Sequence, residues 1–423
     1  MNILLIGSGG REHAIADALY RSKSLNQLFI APGNPGTAAL GTNVAIRIND
    51  FDSMKKFCAQ EQVDMIVVGP EQPLVDGIVN AFEGSDVLVL GPDQRAAMLE
   101  GSKAFSKTFM QEYDVPTAAY REFGKNEVEE AVKYVADIPT PIVVKASGLA
   151  AGKGVIIAET NSEAQKAVRE MMLENKFGEA GDRIVIEEYL DGIELSVFVL
   201  TDGNSYQILP TAKDYKRIGE GDTGLNTGGM GAVCPAIFAD AAFMKKVEEK
   251  IVVPSIKGIQ DRNMNYKGFL FIGLMKVGDE PYVIEYNVRM GDPETEVVFP
   301  KIDSDVVQLF AACFNGSLAE QEITYKPGFV TTVMAVSKGY PEAYEKGKRI
   351  LGADQVSNAH IFHAGTSELG NEIVTSGGRV LCATAFGETI EGALSNSYAA
   401  LDQIHFEGMT YRKDIGKDIL EKL

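Results

Sequence analysis

The chain has 423 residues, 45% of them apolar, with a formal net charge of −19 and a pI of about 4.8. That length predicts roughly two to four domains, and the apolar share suffices for several cores. The acidic balance argues against general nucleic-acid or membrane binding but leaves room for a local basic pocket.

Four scattered cysteines (Cys58, Cys234, Cys313, Cys382) show no CxxC spacing. They predict free thiols in a reducing compartment, with neither a disulfide frame nor a zinc site. There is no basic-then-apolar leader and no apolar run near ~18 residues, so a soluble cytoplasmic protein is expected.

Strand-like runs at 3–6, 28–31, 65–69 and 87–91 alternate with helical patterns such as 13–21 and 53–61. This alternation predicts a parallel, doubly wound sheet. The first turn, "IGSGGREH", poses a choice. A dinucleotide fingerprint needs G-x-G-x-x-G and an acid closing the second strand. Gly7 and Gly9 fit, but Glu12 takes the third glycine position and Ala31-Pro32 stand where the acid belongs. An NAD site is therefore disfavoured. Two readings remain: backbone amides at a helix start receiving an anion beside Arg11, or glycines that only permit close strand–helix packing. His13 reads as a packed helix residue.

One helix is expected over 95–113. Strands at 141–146 and 154–159 then flank the loop "KASGLAAGKGV". The spacing is not that of a Walker loop, and the Ser/Thr that holds Mg2+ there is missing. The loop also joins strand to strand. It reads as a flap of glycine amides (Gly148, Gly152, Gly154) with Lys153, and Lys145 ends the strand before it. A helix at 162–173 and the strand "RIVIEEYL" follow, and adjacent acids on a strand point to opposite faces.

Hairpins are expected over 194–209, turning at Asp202-Gly203, and over 269–287, turning at Gly278-Asp279. Between them, 212–235 reads as a long polar loop carrying Asp214, Lys216 and Arg217, able to grip a phosphate. In "VIEYNVRMGDPETE", Glu285 and Asn287 lie two apart on a predicted strand and share a face, an arrangement suited to two oxygen ligands on Mg2+. Arg289 joins that face if the strand continues, and Asp292 and Glu294 follow at a turn. The alternative is an exposed hairpin with solvated charges, although Asn is disfavoured in strands. The tail from about 326 reads as β-rich with one late helix, 389–404. No repeat or low-complexity linker is visible, so packed domains are expected.

Taken together, "LLIGSGGREHA", "APGNPGT", "VGPEQPLVDG", "LEGSKAFSK", "KASGLAAGKGV", "NTGGMGA", "GFLFIGLM", "EYNVRMGDPET", "FHAGT", "SGGRVL" and "RKDIG" occur in order along essentially the whole chain. This series resembles the ATP-grasp ligases, and among them the phosphoribosylamine–glycine ligase (glycinamide ribonucleotide synthetase) family. Ser147 stands where Asp is usual, Leu225 where Pro is usual, and Val288 and Met290 where Cys and Phe are common.

The resemblance implies an α/β chain in three parts: a doubly wound domain at 1–101, an ATP-grasp α+β module at 102–325 with a small lid at about 117–190, and a β-rich domain at 326–423. It implies ATP, glycine and 5-phosphoribosylamine as substrates and Mg2+ or Mn2+ as the metal. Lys103 and Lys145, with the Gly148–Gly154 flap, are similar to the family's nucleotide-phosphate residues. Glu187 and Leu190 would flank the adenine, Glu194 would hold the ribose, and Glu285 and Asn287 the metal. Arg289 would stabilise the acyl phosphate and Asp214 the glycine ammonium. Gly9, Gly10, Arg11 and Glu71 fall on the phosphoribosylamine side, with Lys216, Arg217, Gly228, Gly229 and Asp292 as further substrate contacts. A monomer without nucleic-acid or membrane partners is expected. The alternatives are another ATP-grasp ligase or carboxylase of purine metabolism and, more distantly, an NAD-linked oxidoreductase.

Overall fold

The computed structural model describes residues 1–150, 154–174 and 178–421. The apolar runs of the first hundred residues form the parallel strands Asn2–Gly7, Gln27–Pro32, Met65–Val68 and Leu88–Pro92, with Thr42–Asn43 at the edge. The expected doubly wound sheet is present, and it does not end there. Tyr266 and Lys267 pair antiparallel with Pro92 and Gly91. The parallel sheet thereby runs on into antiparallel strands Tyr266–Val277, Ile193–Thr201 and Tyr206–Ile208, with Glu280–Asn287 paired to the first of these. Both predicted hairpins lie in this extension.

The helix expected over 95–113 is two helices, Gln94–Gly101 and Lys103–Glu112. Ser102 breaks it. Its backbone is extended and its hydroxyl accepts from the Phe105 amide, so it caps the second helix. The propensity pattern ran through a serine that competes with the helix for its own backbone.

A separate four-stranded sheet holds Tyr120–Gly124, Arg183–Glu188, Ile142–Ala146 and Val155–Ala158 in that order. Helices Val128–Asp137 and Asn161–Met172 cover one face. Strand alternation decides what each residue meets. Ile142, Val144, Ala146, Ile184 and Ile186 pack against the helices. Val143, Lys145 and Glu187, on the other face, line cavity walls.

The segment 212–235 is not a loop. It forms strands Lys213–Asp214, Arg217–Gly219, Thr223–Asn226 and Gly231–Cys234. The outer two join Phe329–Ser337, Arg379–Gly387, His360–His363 and Met409–Thr410 in a sheet of the C-terminal part, and the inner two form a hairpin of their own. Polar, glycine-rich composition hid strands only two to four residues long. The late helix is present as Ile390–Leu401.

His13 is packed, as expected. Its Nδ1 accepts from the His363 amide at 2.8 Å, joining the first helix to the C-terminal sheet, and burial pushes its pKa down to about 3. Among the described residues no helix is long and apolar enough to cross a membrane, and all four cysteines are buried and free.

Candidate active site

The opening turn resolves differently from either sequence reading. The Glu12 carboxylate fills it. Glu12 Oε2 accepts from the Gly9 amide at 2.6 Å, and a Cβ on Gly7 or Gly69 would stand within 2.4 and 2.1 Å of Glu12 atoms. Gly7, at φ +125°, and Gly69 are glycines so that this side chain fits. An internal carboxylate thus takes an amide that a pyrophosphate would need, at the position where the dinucleotide fingerprint has its third glycine. The Gly9 amide is therefore not an open anion donor. Gly10 serves a second acid, since a Cβ there would lie 2.5 Å from Glu296 Oε1.

Two cavities, of about 390 and 630 Å³, share Asp214, Lys216, Thr227, Glu187 and Glu285 as walls and form one cleft. Lysines dominate its nucleotide-sized end. Lys145 Nζ lies 2.7 Å from Glu187 Oε2, and Lys107 Nζ lies 3.2 Å from Oε1 of the same carboxylate and donates to Thr117 Oγ1 at 2.7 Å. One buried acid therefore serves two buried lysines. Burial first, opposed by Glu187, brings the Lys107 pKa down to about 8, and burial lowers Lys103 as well. Burial works against the charge of Glu285, but Lys103, Lys216 and Lys145 overcome it and hold this carboxyl below its ordinary range.

Lys216 pairs with Glu194 and with Asp214, the latter at 3.2 Å. Leu190, Ile193, Val143, Ile157 and Met275 give the larger cavity an apolar wall. Gly148 lies against Ala180, where a Cβ would come within 2.7 Å of the Ala180 Cα, and Gly154 lines the smaller cavity. Gly152 and Lys153 lie outside the described residues. Ser147 accepts the Lys103 amide at its carbonyl and the Ala104 amide at its hydroxyl, so it caps the lysine-bearing helix together with Ser102.

Arginines dominate the other end. Arg289 lies beyond the last strand residue, Asn287, yet reaches the same face. Its Nη2 donates to Glu100 Oε1 at 2.7 Å and to Asn287 Oδ1 at 3.2 Å, and its Nε lies 3.5 Å from Glu71 Oε2. Arg11 is held by Glu12 at 2.6 Å and by the Met290 carbonyl. Arg379 meets Asp292 Oδ1 at 3.0 Å and donates to the Gly228 carbonyl at 2.5 Å, and a Cβ on Gly228 would strike its guanidinium. Gly229, at φ +114°, packs on Pro293. Between the two ends, burial first and then the charge of Asp214 push Glu294 up to about 7, and it accepts from Ser196 Oγ at 3.1 Å.

The cleft thus brings together Lys103, Lys145, Glu187, Glu194, Asp214, Lys216, Glu285, Asn287, Arg289, Arg11, Glu71 and Asp292. Arg217 lines only the larger cavity, donating to the Gly224 carbonyl. Sequence reasoning missed Lys107, Glu100 and Arg379, and named Glu294 only as an acid available at the turn. Lys107 carried a signal, because it lies four residues from Lys103 on one helix face.

Comparison with known proteins fits this geometry. Models of phosphoribosylglycinamide synthetase match along the chain: the N domain at 1–100, the ATP-grasp (A) domain at 101–295 and the C domain at 330–418. A phosphoribosylamine–glycine ligase of Chlorobaculum tepidum is 45% identical over 99% of this chain and 100% of its own length. The chain belongs to the phosphoribosylglycinamide synthetase family. Within it, the crystal structure of the Thermotoga maritima phosphoribosylamine–glycine ligase superposes with a TM-score of 0.86 at 36% identity, covering 98% of this chain and 100% of that one. The biotin carboxylase domain of Hydrogenobacter thermophilus 2-oxoglutarate carboxylase shares the fold alone, with a TM-score of 0.69 at 17% identity over 97% of this chain and 91% of that one. The family shows a three-part α/β architecture with an ATP-grasp module in the middle part.

Proposed function

We propose that this chain is an ATP-dependent ligase that joins glycine to 5-phosphoribosylamine, giving glycinamide ribonucleotide, ADP and phosphate in purine synthesis. Family membership over nearly the whole chain supports the ligase reaction. The observation that carries the chemistry is the Glu285 carboxylate, kept ionised among Lys103, Lys145 and Lys216, between an apolar-walled cavity and the arginine end.

A carboxylate is a poor acyl donor and must be activated. Glycine's carboxylate oxygen attacks the γ-phosphorus, the bond to the β-phosphate oxygen breaks, and glycyl phosphate and ADP result. The phosphoribosylamine nitrogen then attacks the carbonyl carbon, phosphate leaves, and the nitrogen gives up a proton. Positioning and charge neutralisation do most of such work. Lys103, Lys107 and Lys145 lower the cost of gathering negative phosphate oxygens. Arg289 faces the acyl phosphate, and Asp214 receives the glycine ammonium. Leu190, with Val143 and Ile157, flanks the adenine and Glu194 the ribose, while Glu187, expected beside the adenine, is paired with Lys107 and Lys145. Arg11, Glu71, Asp292, Arg379 and the Gly228–Gly229 turn face phosphoribosylamine. Keeping water from the reacting groups protects the anhydride from hydrolysis.

Glu285 and Asn287 supply only hard oxygen donors, and no cluster of three or more His, Cys, Asp or Glu side chains is gathered for a metal among the described residues. Two protein oxygens suit Mg2+ or Mn2+, which complete their shells with phosphate oxygens and water. Such an ion, when bound, neutralises charge on the phosphates. We take 1–101, 102–325 with the lid at about 117–190, and 326–423 as working domains of a cytoplasmic monomer. An ADP-release assay with each substrate omitted in turn tests the reading. Release that needs both glycine and phosphoribosylamine is expected, and release indifferent to glycine contradicts it.

A further inference from the structure

The C-terminal run Arg412–Gly416 has no place in the chemistry above, yet Arg412 is only 2% exposed. All three of its guanidinium nitrogens are engaged. Nε and Nη2 form a fork with the Asp414 carboxylate at 2.8 and 2.7 Å. Nη1 donates to the Arg217 carbonyl at 3.1 Å and to Asp222 Oδ1 at 2.6 Å. Asp414 accepts the Gly221 amide at 2.7 Å, and Glu220 accepts the Lys413 amide at 3.3 Å. The C-terminal end also holds Tyr215, the residue that follows strand Lys213–Asp214. The Tyr215 ring centroid lies 5.4 Å from the Arg412 guanidinium carbon and 4.1 Å from Lys213 Nζ, and its hydroxyl donates to Asp418 Oδ1 at 2.6 Å.

These contacts fall on both sides of Lys216. The hairpin Arg217–Gly219/Thr223–Asn226 belongs to no larger sheet, and an isolated two-stranded hairpin is marginal in water. It needs an outside anchor, and Arg412 meets it at both its base and its turn. Lys216 in turn bridges Glu194 and Asp214 and lines both cavities. Burying a guanidinium is costly unless its pairing geometry is good. Here the bonds converge on one short stretch beside the cleft.

We propose that Arg412 is a positioning residue: it clamps the 217–226 hairpin so that Lys216 is held where the two cavities meet. This rests on the ligase reading, in which Lys216 and Asp214 stand beside the reacting groups. The consequence lies in turnover, because misplacing a group at such a site by about 1 Å can cost about 10²-fold.

The test uses the full chain with R412M, R412K, D222N, the double variant R412M/D222N and, as a control, V336A in the core of the C-terminal sheet. kcat and the KM values for ATP and glycine are measured by ADP release below each variant's melting temperature. R412M is expected to lower kcat by about 10-fold or more, and R412K to restore part of it. D222N is expected to lower kcat by about threefold, and the double variant to lose less than the product of the two, because both act on one contact. V336A is expected to lower the melting temperature and leave kcat unchanged. Wild-type kcat in folded R412M overturns the proposal, as does an equal loss in V336A. If R412M does not fold, wild-type kcat in D222N, whose side chain is about half exposed, overturns it. A wild-type protein that releases no ADP with glycine would instead sink the ligase reading.

Discussion

The two ends of the cleft are equally crowded with charge, but they spend it differently. At the arginine end each cation is already matched: Arg11 with Glu12, Arg289 with Glu100 and Glu71, Arg379 with Asp292. At the lysine end two buried ammonium groups share the single carboxylate of Glu187, and Lys103 is depressed by burial. Ammonium groups that share carboxylates can regroup around an incoming anion, whereas guanidinium groups each matched to an acid hold a shape. In the proposed reaction the triphosphate takes the lysine end and the singly phosphorylated sugar the arginine end. Arginine's planar fork suits fixed pairing, and lysine's point charge suits phosphate oxygens that move during reaction.

The sharpest break of this contrast is Glu285→Ala. It removes the carboxylate around which three lysines gather, and it should cut ADP release by about 10³-fold, about 4 kcal/mol. The melting temperature should stay near that of the parent, since the lost group is a cleft ligand and not a packing element. Wild-type turnover in this variant removes the metal assignment. Next is Lys145→Met. Glu187 keeps Lys107 as a partner, so the fold should survive, while kcat falls by about 10²-fold, about 3 kcal/mol, in the same assay.

Glu294, at the seam, gives a pH test. Its folded pKa of about 7 lies above the ordinary glutamate value of 4.5. Between those values the folded chain keeps a proton that the unfolded chain has lost. Stability therefore falls as pH rises from 4.5 toward 7, by about 1.4 kcal/mol per unit at most, and the loss is complete above that window. Glu294→Gln should flatten this slope in denaturant midpoints taken at pH 5, 6, 7 and 8. An unchanged slope contradicts the assignment. The smallest effect is expected at the arginine end. Arg379→Met should raise the KM for phosphoribosylamine by about 10-fold, about 1.4 kcal/mol, and leave the KM for ATP alone. A shift in the ATP value would erase the distinction between the two ends.

The strands of the first hundred residues were legible because their apolar runs are short, buried and punctuated by glycine. The two hairpins were legible because alternation and an Asp-Gly or Gly-Asp turn agree. Glu285, Asn287 and Arg289 could be read as a group because they lie within five residues on one strand and its exit. What escaped depends on contacts between distant segments. Arg379 gains meaning only from Gly228 and Asp292, and Glu100 only from Arg289 and the Val288 amide. Glu12 was visible as a broken fingerprint, but its occupation of the turn was not, because side-chain direction depends on Gly69, a neighbour from another strand end. The hairpin within 212–235 was hidden because its anchor, Arg412, lies near the far end of the chain.

The account stands on triphosphate oxygens binding at the lysine end. The most direct measurement is a crystal structure with a non-hydrolysable ATP analogue, Mg2+ and glycine. The account predicts phosphate oxygens within hydrogen-bond reach of Lys103 and Lys145, and the adenine against Leu190. A triphosphate seated instead among Arg11, Arg289 and Arg379, with the lysine end vacant, would contradict it.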